Sequence, residues 1–207
     1  ADAVIAVSEW ERDQLAADFA VDASVIPNGL DVERFAEAEP TTRERSYLLT
    51  VGRLEEYKGI QHVIRAMSAL PEYELLVVGS GPYRDELEQI THQEGVKEQV
   101  TFLGYVDADR LPELYAGAEL YLNLSAFEAY GMTVGEALAS GTPCIVRTSA
   151  ALVDWTLEHG CVGIDHFSPE SLSDVIKKTA NNTIDDTELE SWDDVTIALK
   201  TIYRKLL

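Results

Sequence analysis

A parallel α/β sheet covered by helices on both faces, a Rossmann-like arrangement, is the fold this sequence predicts. Three observations predict it. Strand-length apolar runs such as Tyr47–Val51 and 73–78 read as buried on both sides, and amphipathic helical stretches alternate with them. Glycine-bearing loops follow successive strands at Gly52, Gly79/Gly81 and Gly131. Crossovers between parallel strands are right-handed, so every strand ends on one edge of the sheet. The glycine loops are expected to converge on that edge, where open α/β sheets bind ligands.

Taken in order, residues 3–7 read as a short buried strand. Ser8 with Glu11 forms a capping box that starts a helix running to about residue 19. A short strand at 24–26 leads into the turn Pro27-Asn28-Gly29, and 31–35 makes one helical turn. The polar stretch 37–44 contains Pro40, lacks periodicity and reads as a linker. Tyr47–Val51 opens the main sheet. Ile60, Val63, Ile64, Met67 and Leu70 recur at helical spacing and predict a helix over 60–69. The strand at 73–78 precedes a helix with Tyr83, Leu87 and Ile90 on its inner face. Further strands are expected at 100–103, 119–124 and 143–147, with a short sixth at 163–164. Helices are expected at 109–116, 133–140, 169–180 and 191–206, the last with an inward stripe of Val195, Leu199, Ile202, Tyr203 and Leu206.

The 207 residues suit one ordinary domain, or one domain with an appendage. They carry 37 Asp and Glu against 16 Lys and Arg, a net charge of −21. A field of that sign repels phosphate. It excludes a general nucleic-acid binder and disfavours docking on an anionic membrane by charge. The acidic residues are dispersed among ordinary apolar periodicities, so they belong to a folded surface. Such a surface suits very high salt, where screening at 1 M acts within about 3 Å. Cys144 and Cys161 form no CxxC pair and indicate a reducing compartment, with Cys144 as a small buried hydrophobe on the fifth strand. The four histidines lack metal-ligand spacing, and His62 and His92 read as solvated helix residues. Asp107 or Asp109 reads as a helix cap rather than a metal site. No apolar run reaches the roughly 18 residues of a membrane span. No signal peptide is visible, and the chain begins at Ala1 rather than Met, as a piece of a longer protein would.

Three segments carry residues suited to chemistry. Gly52-Arg53-Leu54-Glu55-Glu56-Tyr57-Lys58-Gly59 places two cations five apart in a strand-to-helix loop. Arg offers a planar fork and Lys a mobile point charge, a pairing that suits a diphosphate if both turn inward; surface pairing with Glu55 and Glu56 is the other possibility. Gly79-Ser80-Gly81-Pro82 resembles a dinucleotide fingerprint only weakly, because Arg84 stands where the third glycine belongs; it fits either close approach of backbone to a ligand or a plain tight turn. Glu128 and Glu136 lie eight apart, one in a loop and one just inside the next helix. The turn between them presents N–H groups at a helix N-terminus, a place for an anion, with a carboxylate on either side to accept from hydroxyls.

These residues, in this order, resemble the C-terminal domain of a retaining glycosyltransferase of the GT-B fold, family 4 or group 1. The matching segments are Gly52-Arg53-Leu54 with Lys58-Gly59, Gly79-Ser80-Gly81-Pro82, Glu128 with Glu136, and Ala139-Ser140-Gly141-Thr142-Pro143. Upstream, Val7-Ser8 and Ile26-Pro27-Asn28-Gly29-Leu30-Asp31 resemble the segment that joins the family's two domains. The chain departs from the pattern at Leu124 before Ser125, at Tyr130-Gly131, and at 149–154, where a glycine-rich turn with Pro-Glu is expected.

The resemblance implies transfer of a sugar from a nucleotide-diphosphate sugar to a hydroxyl acceptor. Arg53 and Lys58 would bind the diphosphate, Glu128 the hydroxyls of the donor sugar and Glu136 the ribose. Tyr130, Gly131, Met132 and Thr133 would lie against sugar and phosphate, Tyr105 and Val106 beside the base, and Gly52, Gly79 and Gly81 along the donor loops. Arg53, Lys58 and Glu128 are the implied catalytic residues. Neither metal nor cofactor is implied, and no nucleic-acid partner. The acceptor, whether sugar, lipid or another hydroxyl compound, would be held by a domain outside this chain, through which any membrane contact would also run. On this basis 1–35 is the end of that domain with the hinge, 36–190 the donor-binding domain, and 191–207 a helix returning toward the first domain. The expected setting is the cytoplasm, at the inner membrane face and at high salt. An epimerase or sucrose-type synthase acting on a nucleotide sugar, and a non-catalytic nucleotide-binding module, fit the same residues.

Overall fold

A computed structural model describes residues 2–180, 182, 184 and 188–206. Ala1 and Leu207, the outer ends of the first and last expected segments, lie outside them. A small parallel pair, β1 (Ile5–Ala6) and β2 (Ser24–Val25), brackets helix α1 (Glu9–Phe19). Among the described residues the main sheet has six strands. They are β3 (Tyr47–Val51), β4 (Glu74–Val78), β5 (Val100–Gly104), β6 (Leu120–Asn123), β7 (Cys144–Arg147) and β8 (Cys161–Ile164). All pair in parallel, in the order β5-β4-β3-β6-β7-β8. The helices are α2 (Val32–Ala36), α3 (Ile60–Ala66), α4 (Arg84–Gln93), α5 (Leu111–Ala116), α6 (Met132–Ala139), α7 (Leu152–Trp155), α8 (Pro169–Thr179) and α9 (Trp192–Leu206). The expected elements form within a few residues of their predicted ends. Helix α7 is additional, in a stretch whose four helical residues are too few to show a period.

Alternation along each strand divides the apolar residues between two cores. Leu48, Leu75, Val77, Leu120, Leu122 and Ile145 face Ile60, Val63 and Ile64 of α3, Leu87 and Ile90 of α4, and Leu172 and Ile176 of α8. Tyr47, Leu49, Leu76, Val78, Tyr121 and Val146 face Leu114 and Tyr115 of α5 and Val134, Ala137 and Leu138 of α6, with Phe35 and Trp155 closing the layer. Burial on both faces is what makes the strands continuous apolar runs. Cys144 lies fully buried in the second core.

The strand order reverses between β3 and β6. This is the topological switch point, where open sheets of this kind form a crevice at the carboxyl ends of the strands. The loops on that edge are laced together. The Gly52 N–H donates to Val78 O (3.0 Å), Leu54 N–H to Ser80 O (3.0 Å) and Gly79 N–H to Gly104 O (2.7 Å). Gly79 has φ +125°, and a β-carbon there would overlap the carbonyl oxygen of Gly52. Its close approach is therefore to the neighbouring loop of the protein itself.

The last helix departs from the expected stripe. Among its described residues only Val195 is buried, while Tyr203 and Leu206 are 63% and 47% exposed. Its start is held by the segment before α2, where Leu30 N–H donates to Glu190 O and Leu30 bridges Ser191. No helix among the described residues is long and apolar enough to cross a membrane.

Gly79→Ala combines overlap with a backbone carbonyl and a disfavoured φ, and is expected to lower stability by about 3 kcal/mol or more. Gly141→Ala, at φ +76° with open space around it, should cost only about 1–2 kcal/mol. Urea midpoints of the two variants compare them directly.

Candidate functional site

Loops from opposite sides of the switch point meet through two hydrogen bonds. The turn Glu56–Lys58 after β3 directs Lys58 inward, and its Nζ donates to Glu128 Oε1 at 2.6 Å, joining residues 70 apart in sequence. Each side chain is only 19% exposed. Ala126 N–H donates to Tyr57 O at 2.7 Å and fixes the two loops side by side. The expected pair of inward cations is only half present. Arg53 is 74% exposed and bonds Glu55 through Nη2 at 2.8 Å, the surface pairing, whereas Lys58 turns into the crevice.

The loop carrying Glu128 has each carbonyl from residue 126 to 130 occupied. Ser149 Oγ donates to Ala126 O (2.7 Å) and Ser125 Oγ to Phe127 O (2.8 Å). Ala151 N–H donates to Glu128 O (3.2 Å), Ser8 Oγ to Ala129 O (3.0 Å) and Trp155 Nε1 to Tyr130 O (2.5 Å). No described group of the protein accepts from the N–H groups of Glu128, Ala129, Tyr130, Gly131, Met132 or Thr133. With the carbonyls held by other segments and the amides unspent, the loop and the start of α6 form a concentration of positive partial charge suited to an anion.

Helix α6 adds two polar side chains above a buried floor. Thr133 Oγ1 accepts from Tyr121 Oη (2.7 Å) and Asn123 Nδ2 (3.4 Å), which leaves its own proton free to donate. Glu136 accepts from Tyr115 Oη at 2.9 Å. Burial raises the Glu136 carboxyl above the ordinary range, opposed by the Tyr115 hydrogen bond and the charge of Arg34. Tyr115 and Tyr121, fully enclosed, are pushed well above the usual phenol range, mainly by burial, and remain neutral donors.

The other expected site residues spread along the same edge. Gly52 and Gly79 take part in the lacing of the loops, and Gly81 lies against the backbone of Leu54. Tyr105 is 79% exposed just beyond β5, and Val106 packs against the second core. Two readings need correction. Asp109 pairs with Arg34 at 3.0 Å, and Asp107 makes no side-chain cap. His62 is half-buried edge-on to Phe167, and burial, followed by the charges of Arg65 and Arg147, lowers its pKa. Ser8, Ser149 and Trp155, which hold the Glu128 loop, carry no local signal of that task. The departure of 149–154 from the family pattern is the nearest hint.

The glycosyl transferases group 1 family matches residues 31–191, a span that contains the crevice and both of its carboxylates. The chain belongs to the group 1 glycosyltransferases. It is 33% identical over 177 residues to an uncharacterised glycosyltransferase of Methanocaldococcus jannaschii, covering 78% of this chain and 45% of that protein. It is 31% identical over 199 residues to a GDP-mannose-dependent α-(1-6)-phosphatidylinositol monomannoside mannosyltransferase of Mycobacterium tuberculosis, covering 84% of this chain and 51% of that one. A sucrose-phosphate synthase from Thermosynechococcus elongatus superposes with a TM-score of 0.85 at 24% identity, over 100% of this chain and 58% of the synthase, and shares the fold. The chain spans about half the length of the curated relatives it matches.

The partly buried Glu136 gives this chain a pH signature. Because its folded-state pKa is raised, the folded protein keeps this proton to higher pH than the unfolded chain. Stability contributed by the group falls as pH rises from the ordinary carboxyl range, about 4.3, through the raised value. Glu136→Gln should therefore show a higher urea midpoint than the parent at pH 7, with the difference closing below about pH 4.

Proposed function

We propose that this chain holds the donor of a retaining glycosyltransferase, a nucleotide-diphosphate sugar. The Lys58–Glu128 pair at the switch point carries the reading. It sets a cation and a carboxylate, both four-fifths buried, beside a run of unspent amides. A diphosphate needs the cation and the amides, and sugar hydroxyls need the carboxylate. Lys58 has three donors, so it reaches a phosphate oxygen without releasing Glu128. Arg53 joins it by leaving Glu55. Glu128 then takes hydroxyls of the donor sugar, Glu136 those of the ribose, and the loop of Tyr105 and Val106 lies beside the base. Tyr130, Gly131, Met132 and Thr133 line sugar and phosphate, with Gly52, Gly79 and Gly81 beneath. Membership of the group 1 family supports the class of reaction, and the GDP-mannose dependence named for the mycobacterial relative supports the class of donor.

In the reaction the bond from the anomeric carbon to the diphosphate breaks, and the electron pair leaves with the nucleoside diphosphate. The acceptor oxygen takes its place on the same face of the ring, and the hydroxyl proton passes to the departing diphosphate oxygen. Charge grows on the diphosphate as the bond lengthens, so Lys58, Arg53 and the amides at the start of α6 bind the transition state more tightly than the ground state. These groups neutralise the charge without a metal or cofactor. The acceptor site lies in a further domain of the whole protein, with 1–35 as hinge and α9 returning toward it. The acidic surface suits a high-salt cytoplasm, with any membrane contact made through the other domain.

Calorimetric titration with UDP-, GDP- and ADP-sugars is expected to show binding of at least one by the 207-residue chain, with no transfer to candidate acceptors. Transfer by this chain alone would overturn the division of labour. In the complete enzyme, Lys58→Ala and Arg53→Ala should each lower turnover by roughly 10²-fold. Unchanged kcat/KM would reject their role. Product analysis separates transfer from epimerase or sucrose-type synthase chemistry, and donor binding without turnover by the complete protein would indicate a binding module.

The net charge of −21 yields a separate expectation. The urea midpoint should rise between about 0.1 M and 3 M KCl, and by more than a neutral osmolyte produces, because salt also strengthens apolar burial.

A further inference from the structure

The start of α1 touches the Glu128 loop at two points and α7 at a third, although both lie far away in sequence. Ser8 is the N-cap of α1. Its Oγ accepts the Glu11 N–H at 3.1 Å and at the same time donates its single proton to Ala129 O, across 121 residues. The Trp10 N–H donates to Asp154 Oδ2 at 3.2 Å, and the Trp10 ring meets Phe127 edge-on with centroids 5.6 Å apart. Phe127 and Ala129 flank Glu128. Asp154 belongs to α7, and Ala151, just before that helix, donates its N–H to the Glu128 carbonyl. Segments 8–10, 127–129 and 151–154 thus close a ring of contacts around one residue.

Helix capping alone does not account for this arrangement. A cap needs only the acceptor lone pairs of Ser8, which the Glu11 N–H uses. The Ser8 proton is spent elsewhere, on a carbonyl whose direction sets the direction of the next amide, that of Tyr130. Ser8 is 4% exposed, so neither bond competes with bulk water. We infer that Ser8 is a positioning residue for donor binding: its hydroxyl, with Asp154 as the second anchor of α1, keeps the Ala129 carbonyl turned away so that the amides of 129–131 face the diphosphate and Glu128 keeps its aim. The inference rests on the donor-site reading above. It also makes the start of α1 a mechanical link between the hinge segment and the sugar-facing carboxylate.

The test compares four variants in the same protein. Ser8→Ala should weaken nucleotide-sugar binding about five- to tenfold, the loss of roughly one hydrogen bond, while Ser8→Thr restores it. Asp154→Ala should weaken binding in the same direction. Glu11→Ala removes the carboxylate that accepts the Val7 N–H at 2.8 Å, but keeps the backbone N–H that Ser8 caps and leaves the contacts of Ser8 and Trp10 with the Glu128 loop in place. It should lower the melting temperature yet leave affinity unchanged. Amide hydrogen exchange without ligand reads the positioning directly, and the segment 128–133 should exchange faster in Ser8→Ala but not in Glu11→Ala. Equal affinity and equal exchange in Ser8→Ala and the parent would overturn the inference, as would an equal loss of affinity in Glu11→Ala. A Lys58→Ala control separates the two levels. If it binds donor as the parent does, the donor-site reading fails; if it loses binding while Ser8→Ala keeps it, only the positioning role fails.

Discussion

Leu48 and Leu49, adjacent on β3, are both fully buried, one against each layer of helices. A strand hidden on both faces has no polar side to show to water, and its backbone groups must pair within the sheet. Parallel pairing then needs helical crossovers of one hand, which bring every strand end to one edge. The order β5-β4-β3-β6-β7-β8 reverses at β3 and β6, and neighbouring loops diverge there rather than cover one another. The crevice that receives Lys58 and Glu128 is thus a consequence of how the core is buried.

Within that crevice the electrostatics run against the rest of the molecule. The chain carries −21, yet the site gathers an inward lysine and a series of amides with no acceptor among the described residues. Partial charges on a rigid backbone cost little to maintain in such a field, because they need no counter-ion and no mobile side chain to be ordered. The burden moves to the carbonyls, and five successive ones are taken by Ser149, Ser125, Ala151, Ser8 and Trp155. A single inward cation then suffices to hold Glu128, and Arg53 remains at the surface beside Glu55.

The segments before the main sheet contribute as much as the sheet. Leu30, 3% exposed, lies against Gly135, where a β-carbon would meet its side chain, one residue before Glu136. Arg34 ties α2 to Asp109 and lowers the raised pKa of Glu136. Ser8 and Trp10 reach the Glu128 loop from α1. Both carboxylates are therefore braced by residues that precede the main sheet.

Period and loop chemistry made most of the architecture legible. Tyr47–Val51 appears with its predicted ends, and the helix of Ile60, Val63 and Ile64 with its predicted face, because burial on a strand or helix repeats at a fixed interval. Helix α7 was not legible, since four residues cannot establish a period, and the stripe on α9 buried only Val195, since periodicity does not say what lies opposite. The ordered motifs singled out Lys58, Glu128 and Glu136, and the structure pairs the first two. Which way each side chain turns was decided in three dimensions. Lys58 finds Glu128 across 70 residues and Ser8 finds Ala129 across 121, while Arg53 takes a carboxylate two residues away. By itself the sequence determined the elements, their faces and the edge on which the glycine loops meet, because local periodicity and turn residues encode them. The tertiary structure alone decided the partners, because a hydrogen bond depends on distances that only the packed sheet brings below 3 Å or so.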